Sequence, residues 1–400
     1  MTIKFHFSLF YFLKAYMYQK FNTIFNRFKK NDYVVWSVVL SVIFLAGFGC
    51  VMVYSASFYV ADVRFGNQYH FLVKQIIGVI LGFVALVVMS FIDYRKLIKF
   101  KWWAVFISII LLCLVFIPGI GVENYGAKRW IGFSSLTFQP SEIAKFVLVF
   151  FCAVHLSQNY DKAKSFKTLL PIFLVGGIFC TLVILEPNMS ITICMAVILF
   201  IMLFLGGLSK KHFFLLSSAG ALAIPALIIA EPYRIKRISA FLNPWASPQG
   251  EGFQLIQSLY ALGSGGLFGM GLFQSRQKFL YLPFAESDFI FSIMGEEIGF
   301  VGCVAVLSAF AFLFFMLIKI ARRACDRYGS LLAAGIASVI AVQTLLNIAV
   351  VSGSIPPTGV PLPFISAGSS SLIVFMGAVG LCLNIYKNRN RDKNLIFSHN

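Results

Sequence analysis

Long apolar runs, separated by short polar segments, dominate the chain. Each run approaches or exceeds the roughly 17–25 residues that an α-helix needs to cross a bilayer. The hydrophobic pattern therefore predicts an all-α polytopic integral membrane protein with ten transmembrane helices. The predicted spans are 34–54, 75–92, 103–119, 140–156, 169–185, 191–208, 212–230, 289–318, 331–351 and 370–386.

Three segments depart from this pattern. Residues 1–33 are basic and aromatic, and their longest uncharged run, about nine residues, is too short to span a bilayer. We interpret 1–33 as an interfacial amphipathic segment, with a disordered tail as the alternative. Residues 231–288 form a long loop between the seventh and eighth spans, and residues 387–400 form a basic tail. The predicted organisation is one membrane domain, 34–386, between two basic termini.

Composition and charge support this class. The chain of 400 residues is 59% hydrophobic and 12% charged, whereas a soluble domain carries about 25% charged residues. The net charge is +18, with 23 Lys and Arg in the segments on the N-terminal side of the membrane and 9 in the opposite loops. This asymmetry predicts cytoplasmic termini and an outward-facing loop 231–288. Because the basic residues follow the membrane topology, no nucleic-acid partner is predicted.

Charged residues around the fourth span are the first candidates for chemistry. Lys128 and Arg129 precede the span in an outer loop, and Glu142 and Lys145 lie in its first turns. Glu142 also suits an ordinary helix start, where an acid interacts favourably with the helix dipole. Lys145 lies deeper, and an ionisable residue inside a span indicates a functional site. As i,i+3 neighbours, the two side chains are close enough to pair.

The long outer loop contains a cluster of cations. Arg234, Lys236 and Arg237 lie within four residues on the predicted outer side, against the positive-inside trend. One interpretation is a solvated loop, and the other is an anion site for phosphate or pyrophosphate. The glycines further along form no Walker or dinucleotide pattern, so no nucleotide is predicted.

Carboxylates gather where this loop meets the eighth span. Asp288 suits a helix N-cap, and Glu296 and Glu297 follow on the same helix. Three carboxylates that face the loop's cations across an outer cavity predict a site for an anionic, lipid-linked substrate. Cys and His show no metal-ligand spacing, so neither a metal nor a cofactor is predicted. The sequence leaves open a divalent cation at a diphosphate.

Two further outer segments differ in charge. The turn LEPNMS, residues 185–190, contains one carboxylate and is interpreted as a simple turn. The last outer loop, 351–372, has no charge and contains four prolines, which stiffen a chain. We interpret this loop as a rigid wall or re-entrant segment beside the site.

Several motifs give the chain a specific resemblance over about residues 34–386. These are KRWIGFSSLTFQPSEIAK, FLNPWASPQGEGFQLIQSLYALGSGGLFGMG, QSRQKFLYLP, SDFIFSIMGEEIGFVG and PPTGVPLPFISAGSSS. The chain resembles the SEDS family (shape, elongation, division and sporulation). NPW followed by QSLYALG, together with GVPLPFIS, favours the FtsW and SpoVE branch over the rod-shape branch, RodA. The resemblance implies a ten-helix membrane enzyme that polymerises lipid II into glycan strands, with a class B penicillin-binding protein as its transpeptidase partner.

The resemblance and the residues together suggest roles. The polyprenyl pyrophosphate of the donor is already a good leaving group and needs cations, whereas the acceptor hydroxyl needs a base. Asp288 is the predicted base, and attack from the opposite face would invert the anomeric centre. The predicted substrate-binding residues are Lys128, Arg129, Glu142, Lys145, Arg234, Lys236, Arg237, Lys278, Glu296 and Ser366.

The sequence departs from the family pattern at three places. Glu286 and Ser287 stand where the family usually has His or Gln and then Thr, and Asn188 stands where the family has Asp. Gly368–Ser369 replaces a usual pair of glycines. Because Asp288 itself is retained, the enzyme hypothesis survives these changes.

Alternative functions stay open at this point. A lipid II flippase would also place ionisable residues inside helices, and a non-catalytic scaffold would only recruit partners. A rod-shape or sporulation paralogue would perform the same chemistry as a division enzyme. The hypothesis that we favour is septal peptidoglycan synthesis at the cell membrane, together with other divisome membrane proteins.

Overall fold

The computed structural model describes residues 32–124, 127–133, 136–160, 165–209, 211–215, 218 and 232–390. These residues are mostly helical. Twelve α-helices are bounded within them. They are α1 Tyr33–Phe65, α2 His70–Phe91, α3 Tyr94–Leu97, α4 Lys101–Leu114, α5 Pro140–Gln158, α6 Phe166–Leu185, α7 Met189–Leu205, α8 Pro232–Leu242, α9 Phe253–Gly265, α10 Ile290–Arg323, α11 Arg327–Val351 and α12 Ser369–Lys387.

The described helices match nine of the ten predicted spans. Eight are long and apolar enough to cross a membrane, when α3 and α4 are taken as one helix across a short 3₁₀ turn. The apolar helix α7 is shorter, at 17 residues. The span predicted at 212–230 lies largely outside the described residues, as does the interfacial segment predicted at 1–33. The total of ten helices therefore stays a prediction.

A small sheet corrects the all-α prediction. Residues 120–139, which we interpreted as an outer loop, form β1 Gly121–Asn124, β2 Ala127–Phe133 and β3 Leu136–Phe138, antiparallel in that order. The cause is a period-two pattern in β2, because successive side chains of a strand point to opposite faces. Ile131 is buried and Lys128 is exposed. Arg129 lies between them at a register shift in the pairing of β1 with β2, and its side chain is partly buried.

Helix α11 occupies the middle of the bundle and packs against α5, α7 and α10. Most of its side chains are buried, including small ones that permit close approach. Helices α2 and α12 form a second tight pair, in which a Cβ on Gly380 would lie 2.3 Å from the carbonyl oxygen of Leu86.

Helix α10 is broken at Gly299, where φ is 65° and ψ is −172°. The glycine-rich segment 266–271 packs into the break. The amides of Met270 and Gly271 donate to the carbonyls of Glu296 and Glu297 at 2.9 and 3.0 Å. In return, the amide of Phe300 donates to the carbonyl of Gly266 at 2.9 Å. A side chain at Gly299 would clash with the neighbouring backbone, so the sequence needs glycine there.

Part of the long loop is more apolar at its surface than we expected. Leu242, Leu267 and Phe268 are between 63% and 79% exposed, and Trp245 and Tyr281 are also exposed. Large exposed apolar side chains of this kind are typical of a surface that contacts lipid or a partner. The long loop therefore exposes apolar as well as polar surface.

Candidate active site

Asp288 lies two residues before α10, at the end of the bundle where the loop between α11 and α12 also lies. The N-cap of α10 is Phe289, and no side chain caps the helix. The capping alternative for Asp288 is therefore wrong. Its carboxylate instead accepts a hydrogen bond from the Ser287 hydroxyl at 3.0 Å. The carboxylate is thus available for chemistry.

The uncharged loop 352–368 forms one side of this site. A Cβ built on Gly359 would lie 2.9 Å from Oδ2 of Asp288, so the loop backbone closely approaches the carboxylate. Asn347 fixes this arrangement, because its amide group donates to the carbonyls of Asp288 at 2.8 Å and Val360 at 2.7 Å. The loop, which we predicted to form a rigid wall because of its prolines, is thereby attached to Asp288.

Ser366 binds to the main chain rather than facing the opening. Its hydroxyl donates to the carbonyl of Ser287 at 2.7 Å and accepts from the amide of Leu362 at 2.8 Å. The side chain is buried. This placement suits a residue that holds Asp288 and the wall together. Ser366 was predicted to bind substrate, but its hydroxyl does not face the opening.

Two arginines lie around the carboxylate. Arg129 donates to the carbonyls of Glu186, at 3.4 Å, and Pro187. Its Nη1 lies 4.0 Å from the position that a Gly359 Cβ would take. Arg237 donates to the carbonyl of Pro357 at 3.2 Å. The structure therefore brings together three of the predicted residues: Asp288, Arg129 and Arg237.

The electrostatic surroundings of Asp288 have opposing effects. Burial raises the pKa of Asp288 to about 6. The Ser287 hydrogen bond and the charges of Arg129 and Arg237 lower the pKa, whereas Glu286 raises it. A carboxyl with this pKa is mostly ionised at neutral pH and can still accept a proton, as a general base requires.

Glu142 and Lys145 form a buried pair away from the carboxylate. Lys145 Nζ lies 2.8 Å from Oε1 of Glu142 and also donates to the side-chain oxygen of Gln343. The Gln343 amide donates to the carbonyl of Pro361 at 2.9 Å. The predicted i,i+3 pairing is confirmed. Because both charged side chains are fully buried against these partners, the structure gives them a supporting contact to the wall rather than a position at the opening.

Lys278 and Glu296 belong to another buried cluster. Lys278 Nζ lies 2.9 Å from Glu297, and Ser55 donates to the same Glu297 oxygen at 2.6 Å. Glu296 accepts from the amide of Arg276 at 2.9 Å and from the Ser275 hydroxyl. The expectation of three carboxylates facing one cavity is corrected here. The carboxylates of Glu296 and Glu297 instead bind residues inside the protein, because the loop segment 275–278 folds back onto α10.

Two of the three remaining predicted cations are exposed. Lys128 is exposed, whereas its neighbour Arg129 is partly buried. Lys236 is exposed on α8, whereas Arg237 is partly buried. The prediction for Arg234 falls outside the side chains that the structure describes. Within the described ranges, no group of three or more His, Cys, Asp or Glu could hold a metal ion.

Sequence reasoning missed two contributors. Asn347 lies inside an apolar run, four residues after Gln343, and this i,i+4 pair of buried amides was a signal on one helix face. Glu186, interpreted as part of a simple turn, is fully buried, and among the described residues neither carboxylate oxygen has a hydrogen-bond partner. Burial raises the pKa of Glu186 to about 8, against the lowering effect of Arg129.

The fold and this site define a polytopic membrane protein with a carboxylate and two arginines at one end of its helix bundle. The family model of the cell cycle proteins FtsW, RodA and SpoVE matches residues 36–391. The chain belongs to this family.

Known relatives extend over nearly all of the membrane domain. The chain is 42% identical to stage V sporulation protein E of Bacillus subtilis, over 87% of this chain and 95% of that protein. It is 40% identical to a probable peptidoglycan glycosyltransferase FtsW of a Geobacter species, with the same coverage. A similar relative from Trichlorobacter lovleyi is 42% identical over 87% of this chain and 92% of that protein.

Solved structures share the fold. A chain from a peptidoglycan synthase complex that coordinates polymerization and crosslinking gives a TM-score of 0.74 at 28% identity, over 89% of this chain and 98% of that chain. The rod shape determining protein RodA of Thermus thermophilus gives 0.66 at 26% identity, over 88% and 97%. The resemblance stated from the motifs is thus confirmed.

Proposed function

We infer that this protein is a peptidoglycan glycosyltransferase that polymerises cell-wall glycan during cell division. The observation that carries this conclusion is Asp288, a half-buried carboxylate with Arg129 and Arg237 around it. Relatives named as probable peptidoglycan glycosyltransferases FtsW support the same activity. We propose lipid II as the substrate, because its sugar hydroxyl needs a base and its diphosphate needs cations.

The proposed reaction assigns one role to each kind of group. Asp288 accepts the proton of the acceptor sugar hydroxyl as its oxygen attacks the anomeric carbon of the donor. The bond from that carbon to the diphosphate oxygen breaks, and the polyprenyl diphosphate leaves with the electron pair. Arg129 and Arg237 neutralise the charge that develops on the leaving diphosphate. Attack opposite the leaving group inverts the anomeric centre.

Glu186 supports the role that we propose for Arg129. With a pKa of about 8, the Glu186 carboxyl is mostly protonated and uncharged at neutral pH. Arg129 is held by the neutral carbonyls of Glu186 and Pro187. Its positive charge is therefore not cancelled by the adjacent acid, which leaves it effective towards an anionic diphosphate.

The proposed setting is the outer face of the cytoplasmic membrane at the division septum. Both termini are then cytoplasmic, as the distribution of Lys and Arg predicts. The peptidoglycan synthase complex among the structural relatives couples polymerization to crosslinking. By analogy, we propose a class B penicillin-binding protein as the transpeptidase partner, with other divisome membrane proteins in the assembly.

Topology can be tested by labelling. A single cysteine introduced at Ser247 should react with a membrane-impermeant maleimide added outside intact cells, whereas one at Lys164 should not. The reason is that loop 231–288 and residues 157–168 are predicted on opposite sides of the membrane. Permeabilised cells provide the control, since both positions should then react. Labelling from outside at residue 164 but not at residue 247 would show that the orientation is opposite to the predicted one.

Removal of either arginine should weaken substrate use. Arg129→Gln and Arg237→Gln are each expected to lower kcat/KM for lipid II about tenfold or more, the scale of a lost charge-assisted hydrogen bond. Each should also shift the acid limb of the pH profile upwards, because both charges lower the pKa of Asp288. Lys74→Gln is the matched control, as it removes an exposed charge at the start of α2. If the kinetics and pH profiles equal those of the control, Arg129 and Arg237 do not bind the substrate.

Polymerisation of lipid II by the purified protein, with and without the transpeptidase partner, tests the function itself. Glycan strands in either condition establish the enzyme. Transfer of lipid II across proteoliposomes without glycan synthesis would support the flippase alternative. If neither glycan synthesis nor transfer across the membrane is observed, the scaffold alternative is supported.

A further inference from the structure

Helix α9 and the glycine-rich segment after it run alongside the first part of α10. Two contacts show the direction. The hydroxyls of Ser258 and Ser292 are 2.8 Å apart, and further along both helices the carbonyl of Gly266 accepts from the amide of Phe300 at 2.9 Å. Residue numbers therefore rise together on both partners. The chain after α9 moves in the direction in which α10 enters the membrane.

The hydrocarbon core of the membrane begins close to the point where this segment ends. Helix α10 has no charged residue over Ile298–Ile318, a stretch of about 20 residues and therefore about 30 Å of helix. The hydrocarbon core of a bilayer is also about 30 Å thick. Glu297 precedes the uncharged stretch and Lys319 follows it. Phe300 and Val301 thus lie just inside the core.

The tip of the descending segment, residues 266–268, lies at the same level. The amides of Phe300 and Val301 donate to the carbonyls of Gly266 and Leu267 at 2.9 and 3.0 Å. The side chains of Leu267 and Phe268 are 63% and 79% exposed, and those of Phe300 and Val301 are 64% and 51% exposed. The apolar surface of the tip is therefore continuous with the surface that α10 presents to the bilayer.

The backbone of the segment meets the requirement that a bilayer imposes. A loop in hydrocarbon has no water to bind, so its N–H and C=O groups need partners within the protein. Besides the two carbonyls bonded to α10, the amide of Gly269 donates to the carbonyl of Gly265 at 2.8 Å. The amides of Met270 and Gly271 donate to carbonyls at the break in α10. These bonds also turn the chain back towards the end of the bundle where Asp288 lies.

The composition of the segment also suits a bilayer. No charged residue occurs from 252 to 275, whereas Glu251 and Arg276 at the two ends are exposed. A charged side chain within the core would be costly. Tyr260 lies about two helical turns, or roughly 10 Å, before the tip, and its ring is 5.7 Å from that of Trp245. Both rings are exposed, and such aromatic residues are enriched where a membrane meets water.

We propose that residues 266–268 form a re-entrant tip, and that acyl chains of the leaflet nearest Asp288 cover Leu267 and Phe268. The observations favour lipid as the occupant, because the tip continues the bilayer-facing surface of a spanning helix and lies within the depth of the core. Part of the long loop, which the sequence predicts outside the membrane, is then inside it. This contact with lipid is independent of the proposed glycosyltransferase activity.

Photo-crosslinking from the tip tests this contact. In three separate proteins, p-benzoylphenylalanine replaces Phe268, Phe312 in the middle of the α10 span, or Phe65 at the end of α1, all of which are exposed. Because Ser55 bonds to Glu297, Phe65 lies about 15 Å further from the core along α1. Each full-length protein is reconstituted into vesicles of phosphatidylethanolamine and phosphatidylglycerol and irradiated. Protein–lipid adducts are then counted by mass spectrometry.

The yield of lipid adducts at position 268 is expected to be within about twofold of that at position 312, and about tenfold or more above that at position 65, because only the first two positions lie in the core. Equal yields at positions 268 and 65 would overturn the insertion. Irradiation of intact cells distinguishes the other occupant. A crosslink from position 268 to one protein in place of lipid would show that a partner covers the tip, and would overturn lipid as the occupant.

Discussion

Asp288→Asn should fold and insert normally yet lose polymerisation by about 10²–10⁴-fold, the usual contribution of a general base. Asn has nearly the same shape and retains an oxygen that can accept from Ser287, so the contacts at 3.0 Å can persist. What Asn lacks is the ability to take a proton from a sugar hydroxyl. The measurement is glycan synthesis from lipid II by variant and wild type at equal concentrations of folded protein.

Two companion variants sharpen this test. Asp288→Glu retains the base, but the close approach of Gly359 leaves little room for one more methylene, so partial activity at best is expected. Ser287→Ala retains Asp288 and removes a contact that lowers its pKa, so it should move the acid limb to higher pH with a smaller loss. Full synthesis by a well-folded Asp288→Asn protein would end the proposed mechanism.

The pH dependence follows from the same residue. The base must be ionised to accept a proton, and the pKa of Asp288 is raised to about 6 by burial. Activity limited by this step should therefore rise from about pH 5 to 7 and level off above.

Lys278→Met is expected to lower the free energy of unfolding by about 3–5 kcal/mol, which is the largest loss of stability that we predict. Lys278 and Glu297 are both fully buried at 2.9 Å, and removal of one partner leaves the other as an uncompensated charge. Thermal unfolding of the detergent-solubilised protein, followed together with its yield from membranes, measures the effect.

The double variant Lys278→Met/Glu297→Met is the control for this prediction. It removes both charges, and replacement of a whole buried pair by apolar residues is often nearly neutral. It should therefore be much more stable than Lys278→Met. If the two proteins are equally unstable, packing rather than the isolated charge is responsible. If Lys278→Met matches the wild type, the ion pair makes no net contribution.

The spans were predictable because length and hydropathy decide membrane insertion before packing does. The Glu142–Lys145 pair was also predictable, since i,i+3 geometry is local. The sheet was missed because the period-two pattern of β2 covers only a few residues between two strongly apolar runs. Helix α1 is longer than the span predicted at 34–54, because no residue ends the helix before Gly66, whose φ is 63°.

The site was predictable only in part, because it depends on which distant segments meet. The character of Asp288 followed from the local sequence, but its partner Asn347 is 59 residues further along the chain. Lys278 and Glu296 have the charges of substrate ligands. Their internal partners, Ser55 for Lys278 and Ser275 for Glu296, became evident only once the loop was folded onto α10. Local chemistry thus identified the candidates, and tertiary contacts separated those at the site from those that support it.

The break at Gly299 makes the chain from about residue 270 to residue 297 a closed ring. Its two ends are joined by backbone hydrogen bonds, and the ring contains both Asp288 and the buried Lys278 charge. Local opening of this ring would have to break the backbone bonds and expose the ion pair together. The segment therefore behaves as one cooperative folding unit rather than a loop that frays residue by residue. A carboxylate carried by such a unit keeps a fixed position, as the role of general base that we propose for Asp288 requires.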